Sequence, residues 1–342
     1  METFDIVPLE RGVAVSKVVI RRSDLEDLEF AGAQDALIRQ RAQILAVSNG
    51  LPPDALRTEG LYPKFNWGLA PYARTSLFDP ENPLRIDVGL QLSASYAIAP
   101  GLVLSGSIGK KLTGNLGDST RVSNSVLPHV RSDSNIYDRE GDPSLNTLTL
   151  AWYGKPAPNL YSRVTVGYLE RMFGGVSTEL LWKKVDSRFA LGAELNYVKQ
   201  RDFDQLLGFQ DYSVLTGHVS GYLDLGKGYS AQLDVGRYLA GDYGATLAID
   251  REFANGWKVG AFATLTDVPF EDFGEGSFDK GIRLSIPFAW ALGRPTEKAY
   301  NATIRPILRD GGARLSVDGR LYDTVRGYHE TQLDAQWGRF WR

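Results

Sequence analysis

The sequence predicts an all-β fold: an antiparallel transmembrane β-barrel of about 14 strands (range 14–16) over residues 61–342, preceded by a small α/β element over residues 1–60. Three observations predict it. Apolar and polar residues alternate over runs of roughly 10–15 residues, the length that crosses a bilayer at a tilt. Aromatic residues stand at the ends of those runs. Glycine is abundant, at 36 of 342 residues, and cysteine is absent.

Composition excludes several classes. Lys and Arg number 38 against 41 Asp and Glu, a net charge of −3, so a strongly basic nucleic-acid binder is ruled out. The lack of cysteine excludes a disulfide scaffold and a thiolate metal site. A 43% hydrophobic and 23% charged chain is not disordered. No apolar run is long enough for a transmembrane helix, which leaves barrel strands untested because their alternation hides them from hydropathy. Residues 1–25 carry no basic start followed by an apolar run, so they do not read as a signal peptide; an exported form would carry that signal upstream.

Residues 1–60 read as about two strands and one or two helices. Val13 to Ile20 is a β-branched run and predicts a strand. Ser23 and Glu26 form a capping box that opens a helix, continued at helical spacing by Leu25, Leu28, Leu37, Ile38, Ile44 and Leu45 to about Ala46. Pro52-Pro53 ends that pattern.

From about Phe65 the period becomes two. Leu84, Ile86, Val88, Leu90, Leu92, Ala94 and Tyr96 alternate with Arg85, Asp87, Gly89, Gln91, Ser93 and Ser95. The pattern recurs around residues 164–168, 191–197, 233–235, 257–265, 282–290 and 315–321. The last run places Leu315, Val317 and Leu321 on the apolar face and Arg314, Asp318 and Arg320 on the polar one. Short turns near 98–101, 156–159, 186–187, 226–228 and 254–256 are separated by longer loops at 113–143, 200–210 and 267–278, a barrel habit. Residues 322–341 fit a last strand, an inward plug or a short helix.

Alternation alone does not name the solvent. A water-soluble sandwich would bury the apolar stripe under a second sheet. Tyr96, Trp152, Tyr161, Trp182, Phe253, Trp257 and Trp290 near the turns favour a membrane interface instead.

No phosphate loop, nucleophile elbow or zincin motif is present. His129, His218 and His329 lie in separate segments, so no metal site is expected. His218-Val219-Ser220 has the H-x-S spacing found in outer-membrane phospholipases. Here Val219, Leu223 and Leu225 form the apolar face, which puts His218, Ser220, Tyr222 and Asp224 in the lumen, away from a lipid substrate. The acidic stretch 132–142 fits either a Ca²⁺ loop or a solvated loop. No catalytic residue and no cofactor is expected. The lumen face offers Arg85, Arg163, Glu194, Asp234, Arg283, Arg314 and Arg320 as candidates to grip a hydrophilic, partly anionic polymer, or simply to pair with one another.

Several stretches resemble the YjbH/GfcD-like family of outer-membrane proteins of exopolysaccharide and capsule production. They are Phe78-Asp79-Pro80 with Pro83-Leu84-Arg85, Gly167 to Gly175, Gln200-Arg201-Asp202, Gly236 to Gly244, Phe273 to Gly281 with Ile286-Pro287, and Arg309 to Ala313. The resemblance implies an outer-membrane barrel with a periplasmic α/β element and a non-catalytic part in polysaccharide secretion. Family members are typically about twice this length, so it also implies the C-terminal half of such a protein. The expected partners are the polysaccharide, outer-membrane lipid and periplasmic export proteins docking on 1–60, with no nucleic acid. Within the 273–281 run, Phe273, Gly274, Glu275, Gly276, Asp279 and Lys280 read as a gating loop or as a tight structural turn. A barrel-embedded lipid- or glycan-modifying hydrolase and a general porin are the rival functions.

Overall fold

The computed structural model describes residues 2–47, 55–56, 64–77, 82–273, 278–287, 299–305 and 310–340. The expectations placed on Pro52-Pro53, Phe78-Asp79-Pro80, Gly274 to Ser277, Trp290 and Arg309 lie outside these residues.

The amino-terminal module is a three-stranded antiparallel sheet, ordered β1 (Thr3–Ile6), β4 (Lys17–Arg21), β5 (Gln43–Leu45). A short hairpin, β2 (Leu9–Glu10) and β3 (Val13–Ala14), accompanies it. Two helices, α1 (Arg22–Leu28) and α2 (Gln34–Arg41), connect β4 to β5. Val18, Ile20, Leu28 and Ile38 form its core. The capping box is not used: α1 starts two residues earlier, its N-cap is Arg21, and no side chain caps it. Glu26 instead accepts from Arg22, one turn away, at 2.7 Å.

Thirteen strands follow in a single meander among the described residues, each hydrogen-bonded to the next. They run from β6 (Phe65–Leu77), β7 (Leu84–Ala99) and β8 (Leu102–Gly114) through β9 (Ser144–Ala157), β10 (Leu160–Tyr168), β11 (Phe173–Lys183) and β12 (Phe189–Arg201). The series continues with β13 (Phe209–Gly226), β14 (Tyr229–Arg237), β15 (Tyr243–Glu252), β16 (Lys258–Thr266), β17 (Asp279–Pro287) and β18 (Ala299–Ile304). The wall is a nearly closed barrel, and its alternation is inside out. On β12, Leu191, Leu195 and Tyr197 are exposed, while Ala190, Glu194, Asn196 and Val198 are buried. On β13, Val219 is 60% exposed and His218 only 3%. The lumen therefore holds buried polar groups beside packed apolar clusters, and an apolar belt covers the outside of the barrel.

The turns sort onto two rims. Residues 100–101, 158–159, 184–188, 227–228 and 253–257 make the short-turn rim. The loops 115–143, 202–208, 238–242 and 267–273 make the opposite one, with α3 (Ser134–Glu140) and α4 (Phe270–Phe273) in them. Exposed Trp67, Tyr96, Trp152, Trp182 and Phe253 ring the short-turn side, and Phe209 and Tyr243 stand at the other. Tyr161 is a correction. It is buried inside the barrel, where its hydroxyl donates to the Val15 carbonyl at 3.0 Å. The amino-terminal module sits on this same rim, and the Lys155 ammonium also reaches it, donating to the Ala14 carbonyl at 3.1 Å.

Residues 314–321 are a second correction. They form no strand, which removes one from the expected count. After β18 the chain turns in at the long-loop rim, descends through the lumen as an extended strap, and becomes α5 (Leu321–Arg326) and α6 (Glu330–Phe340). Leu315 and Val317 pack inside against Val198, Val214 and Leu239. The strap passes so close to the wall that a Cβ on Gly319, whose φ is +70°, would collide with the Tyr153 hydroxyl. At the short-turn rim α6 packs Leu333 and Trp337 into the amino-terminal core, and Arg39 of α2 bonds Asp334 and Glu330.

Candidate functional site

Antiparallel register assembles the centre of the lumen. Tyr153, Arg163, Glu179, Glu194, His218 and Gly236 lie opposite one another across six adjacent strands, β9 to β14. Two buried carboxylates, Glu179 and Glu194, thus face each other directly, an arrangement that like-charge repulsion disfavours. Arg163, fully buried, donates to Glu179 at 3.0 Å. His218 Nδ1 lies 3.1 Å from Glu194. The strap supplies further positive charge. Arg314 bonds Glu194 at 3.0 Å and Asp234 at 2.7 Å, and Arg320 bonds Glu194 as well. The Leu321 amide donates to Glu179 at 3.2 Å.

Five of the seven lumen candidates, Arg163, Glu194, Asp234, Arg314 and Arg320, therefore form one network that ties strap to wall. Arg314 and Arg320 reach it from the strap and not from a strand. Arg85 lies elsewhere: it donates to the Asn115 carbonyl at 3.3 Å at the base of the 115–143 loop. Arg283 is apart again, paired with Asp250 at 2.5 Å. Ser220 donates to Asp234 at 2.5 Å, so the H-x-S pair is drawn into two different carboxylates.

The motif stretches seal the long-loop rim. Arg131 grips Glu170 with both terminal nitrogens, at 2.7 and 3.1 Å. Arg171 donates to Asp138 at 2.7 Å. Arg201, fully buried, donates to the carbonyls of Leu145, Asn146, Glu170, Gln205 and Leu206. Asp310 accepts from the Arg131 and Ser132 amides at 2.7 and 2.9 Å, and Asp242 from the Gly312 amide at 2.8 Å. The acidic stretch is consumed by these and similar pairs: Asp133 with His129, Asp138 with Arg171, and Asp142 with Lys110. Among the described residues no group of three or more His, Asp or Glu is placed to hold a metal ion. Of the expected gating residues, Phe273 is buried beneath Gly311, Asp279 is buried and pairs with Arg305 at 3.1 Å, and Lys280 lies against the Phe278 ring; Gly274, Glu275 and Gly276 are outside the described residues.

Two titrating groups in loops follow from these contacts. Burial opposes a charge on His129, but the Ser125 carbonyl and Asp133 outweigh it and raise its pKa. His329, between α5 and α6, is lowered to about 3, first by burial and then by the Lys183 and Lys155 charges.

The strap fills the lumen on the β9–β14 side and leaves the other side open. A cavity of about 1010 Å³ lies between α5–α6 and the inner faces of β13 to β18, and its lining includes the short turns at 226–228 and 253–256. Arg283 and Asp250 line it. So do Glu252, which pairs with Arg326 at 3.1 Å and Lys258 at 3.3 Å, and the stacked rings of Tyr222 and Tyr322, 3.9 Å apart. Sequence reasoning missed this cavity because it depends on the strap.

The comparisons bear on the whole arrangement. The family model YjbH, described as exopolysaccharide biosynthesis protein YbjH, matches residues 1–327. The chain belongs to this family. It is also similar to the uncharacterized lipoprotein YjbH of Escherichia coli (strain K12), 35% identical over 269 residues, which are 76% of this chain and 38% of that protein. The chain thus spans about two fifths of that relative's length. A barrel fold and a lipoprotein relative suggest a location in the cell envelope.

Proposed function

We propose that the protein is a non-catalytic outer-membrane barrel that takes part in making and secreting an exopolysaccharide, as a conduit or an assembly component. The observation that carries this reading is the plugged, inside-out barrel with a polar vestibule at its short-turn rim. The outward belt of Leu, Val and Ile suits hydrocarbon, and aromatic rings at both of its edges suit the two interfaces. In barrels of this kind the short turns face the periplasm. That orientation puts the amino-terminal module and the vestibule where export proteins and nascent polymer would meet them. Family membership supplies the polymer class.

The absence of catalysis rests on His218 and Ser220 being engaged by separate carboxylates under the strap. Ser220→Ala, once shown to be folded, keeps polymer output; loss of output would favour a hydrolase. The strap argues against a general porin, because it fills the β9–β14 side of the lumen that small solutes would use. Deletion of the gene, followed by measurement of cell-bound and released polysaccharide, tests the reading. Lower or altered polymer is expected, and unchanged polymer would refute it. Detergent-solubilised protein should change its gel mobility on boiling, as a closed barrel does.

A further inference from the structure

We propose that the vestibule between α5–α6 and β13–β18 is a binding site for a charge-neutral segment of glycan entering from the short-turn rim, an inference that rests on the reading above. Its volume, about 1010 Å³, is at the top of the roughly 300–1,000 Å³ range of single-ligand pockets. A chain of several sugar units suits it better than one small molecule.

The lining chemistry selects the class. The described lining residues include five cations and five carboxylates. Glu252, Asp250, Arg283, Lys258 and Arg326 are paired as above, and Asp323 pairs with Arg326 at 3.5 Å; Arg188 and Lys227 are matched in number by Asp224 and Asp334, which bond the Gly226 amide and Arg39. A polyanion would need an excess of cations, and the wall provides none. This departs from the partly anionic polymer expected from the lumen arginines, because Arg163, Arg314 and Arg320 are committed to Glu179 and Glu194.

What remains for a ligand are amides and hydroxyls: Ser285, Gln332 and Gln336, the last two one turn apart on α6, and the carbonyl oxygen of Gln232, whose amide nitrogen is held by Asp234. Gln232 and the Tyr222–Tyr322 pair make the inner end. Amide donors and acceptors beside aromatic rings match the hydroxyls and apolar faces of neutral sugars. Because the contacts are dispersed and largely uncharged, the segment is held weakly and at several points, as passage requires.

The probe is the polymer released by cells that make this protein, cleaved with mild acid and separated by anion exchange into neutral and acidic oligosaccharides. Each fraction is titrated calorimetrically into the folded full chain in detergent. The neutral fraction is expected to bind, with affinity changing less than about twofold between about 50 and 500 mM salt. Ser285→Trp, which fills the cavity, weakens binding at least tenfold, and Gln336→Ala, on the exposed helix face, weakens it about threefold. A polymer that yields acidic fragments alone overturns the proposal, as does binding confined to the acidic fraction and lost in salt. Binding unaffected by both variants overturns it too. If gene deletion removes the polymer but neither fraction binds, the vestibule assignment falls and the secretion role stands. If deletion leaves the polymer unchanged, the secretion role itself falls.

Discussion

Glu194 shows how a single residue sets the interior. Strand register places it opposite Glu179, and only Arg314, Arg320 and His218 make that position tolerable. Removing one partner of a buried ion pair leaves an uncompensated charge and costs about 3–5 kcal/mol. Arg314→Met should therefore destabilise the folded barrel by about that amount in urea titrations followed by tryptophan emission. Adding Glu194→Gln to that variant should cost less than the sum of the single changes, since the two groups touch. His329 gives a pH prediction. Its native pKa of about 3 lies below the ordinary histidine value, so the native state resists a proton that the unfolded chain accepts. Its contribution is fully present above about pH 6.5, and stability falls by up to about 1.4 kcal/mol per unit as pH drops toward the native value. His329→Gln should flatten that slope.

At the scale of elements, the strap and α6 join the two ends of the described chain. Trp337 is buried against the amino-terminal core, and truncating such a residue costs about 3–5 kcal/mol locally. Trp337→Ala should expose residues near 320–340 to limited proteolysis while the mobility shift on boiling persists. Cleavage no faster than in the parent would show that α6 is held by other contacts. The wall strands were legible in the sequence because thirteen-residue alternation such as that of β7 has one physical reading, two faces in two solvents. The strap was not. Its stretch from Arg314 to Leu321 alternates just as a strand does, because it too has a charged side, toward Glu194 and Asp234, and an apolar side, toward Val198 and Leu239. Alternation reports two environments and cannot say that both are inside a lumen. The flanking Gly311-Gly312 and Gly319 were the available hint that the chain breaks from a sheet there. Tyr161 misled in the same way: an aromatic beside a turn faces lipid or lumen according to parity, and its neighbour Val164, exposed, fixes the parity as inward. The central charges were recognisable as lumen residues one by one, but the arginines that balance Glu194 come from the strap, 120 and 126 residues away.

At the scale of the whole molecule, the outward apolar belt is the feature with the largest energetic consequence. Val219→Arg or Leu195→Arg, placed in that belt, should lower stability in lipid bilayers by about 2–4 kcal/mol at mid-depth. The same changes on the exposed face of a water-soluble barrel would be nearly neutral, so urea titration in liposomes separates the two settings. Conductance across planar bilayers belongs to this scale as well. The intact strap should keep the conductance low, and Gly319→Val, which forces the strap off the wall at Tyr153, should raise it or make it fluctuate.

The strap follows every strand of the wall in the polypeptide, yet the wall depends on it for charge balance. Until residues 314–321 are in place, Glu179, Glu194 and Asp234 face one another on the wall with Arg163 paired to Glu179 and His218 hydrogen-bonded to Glu194. Curling the sheet shut before that moment would trap repelling acids in a dry interior. Seating of the strap is thus coupled to closure: its arginines make the rolled-up form favourable, and a chain whose strap is displaced keeps an open sheet.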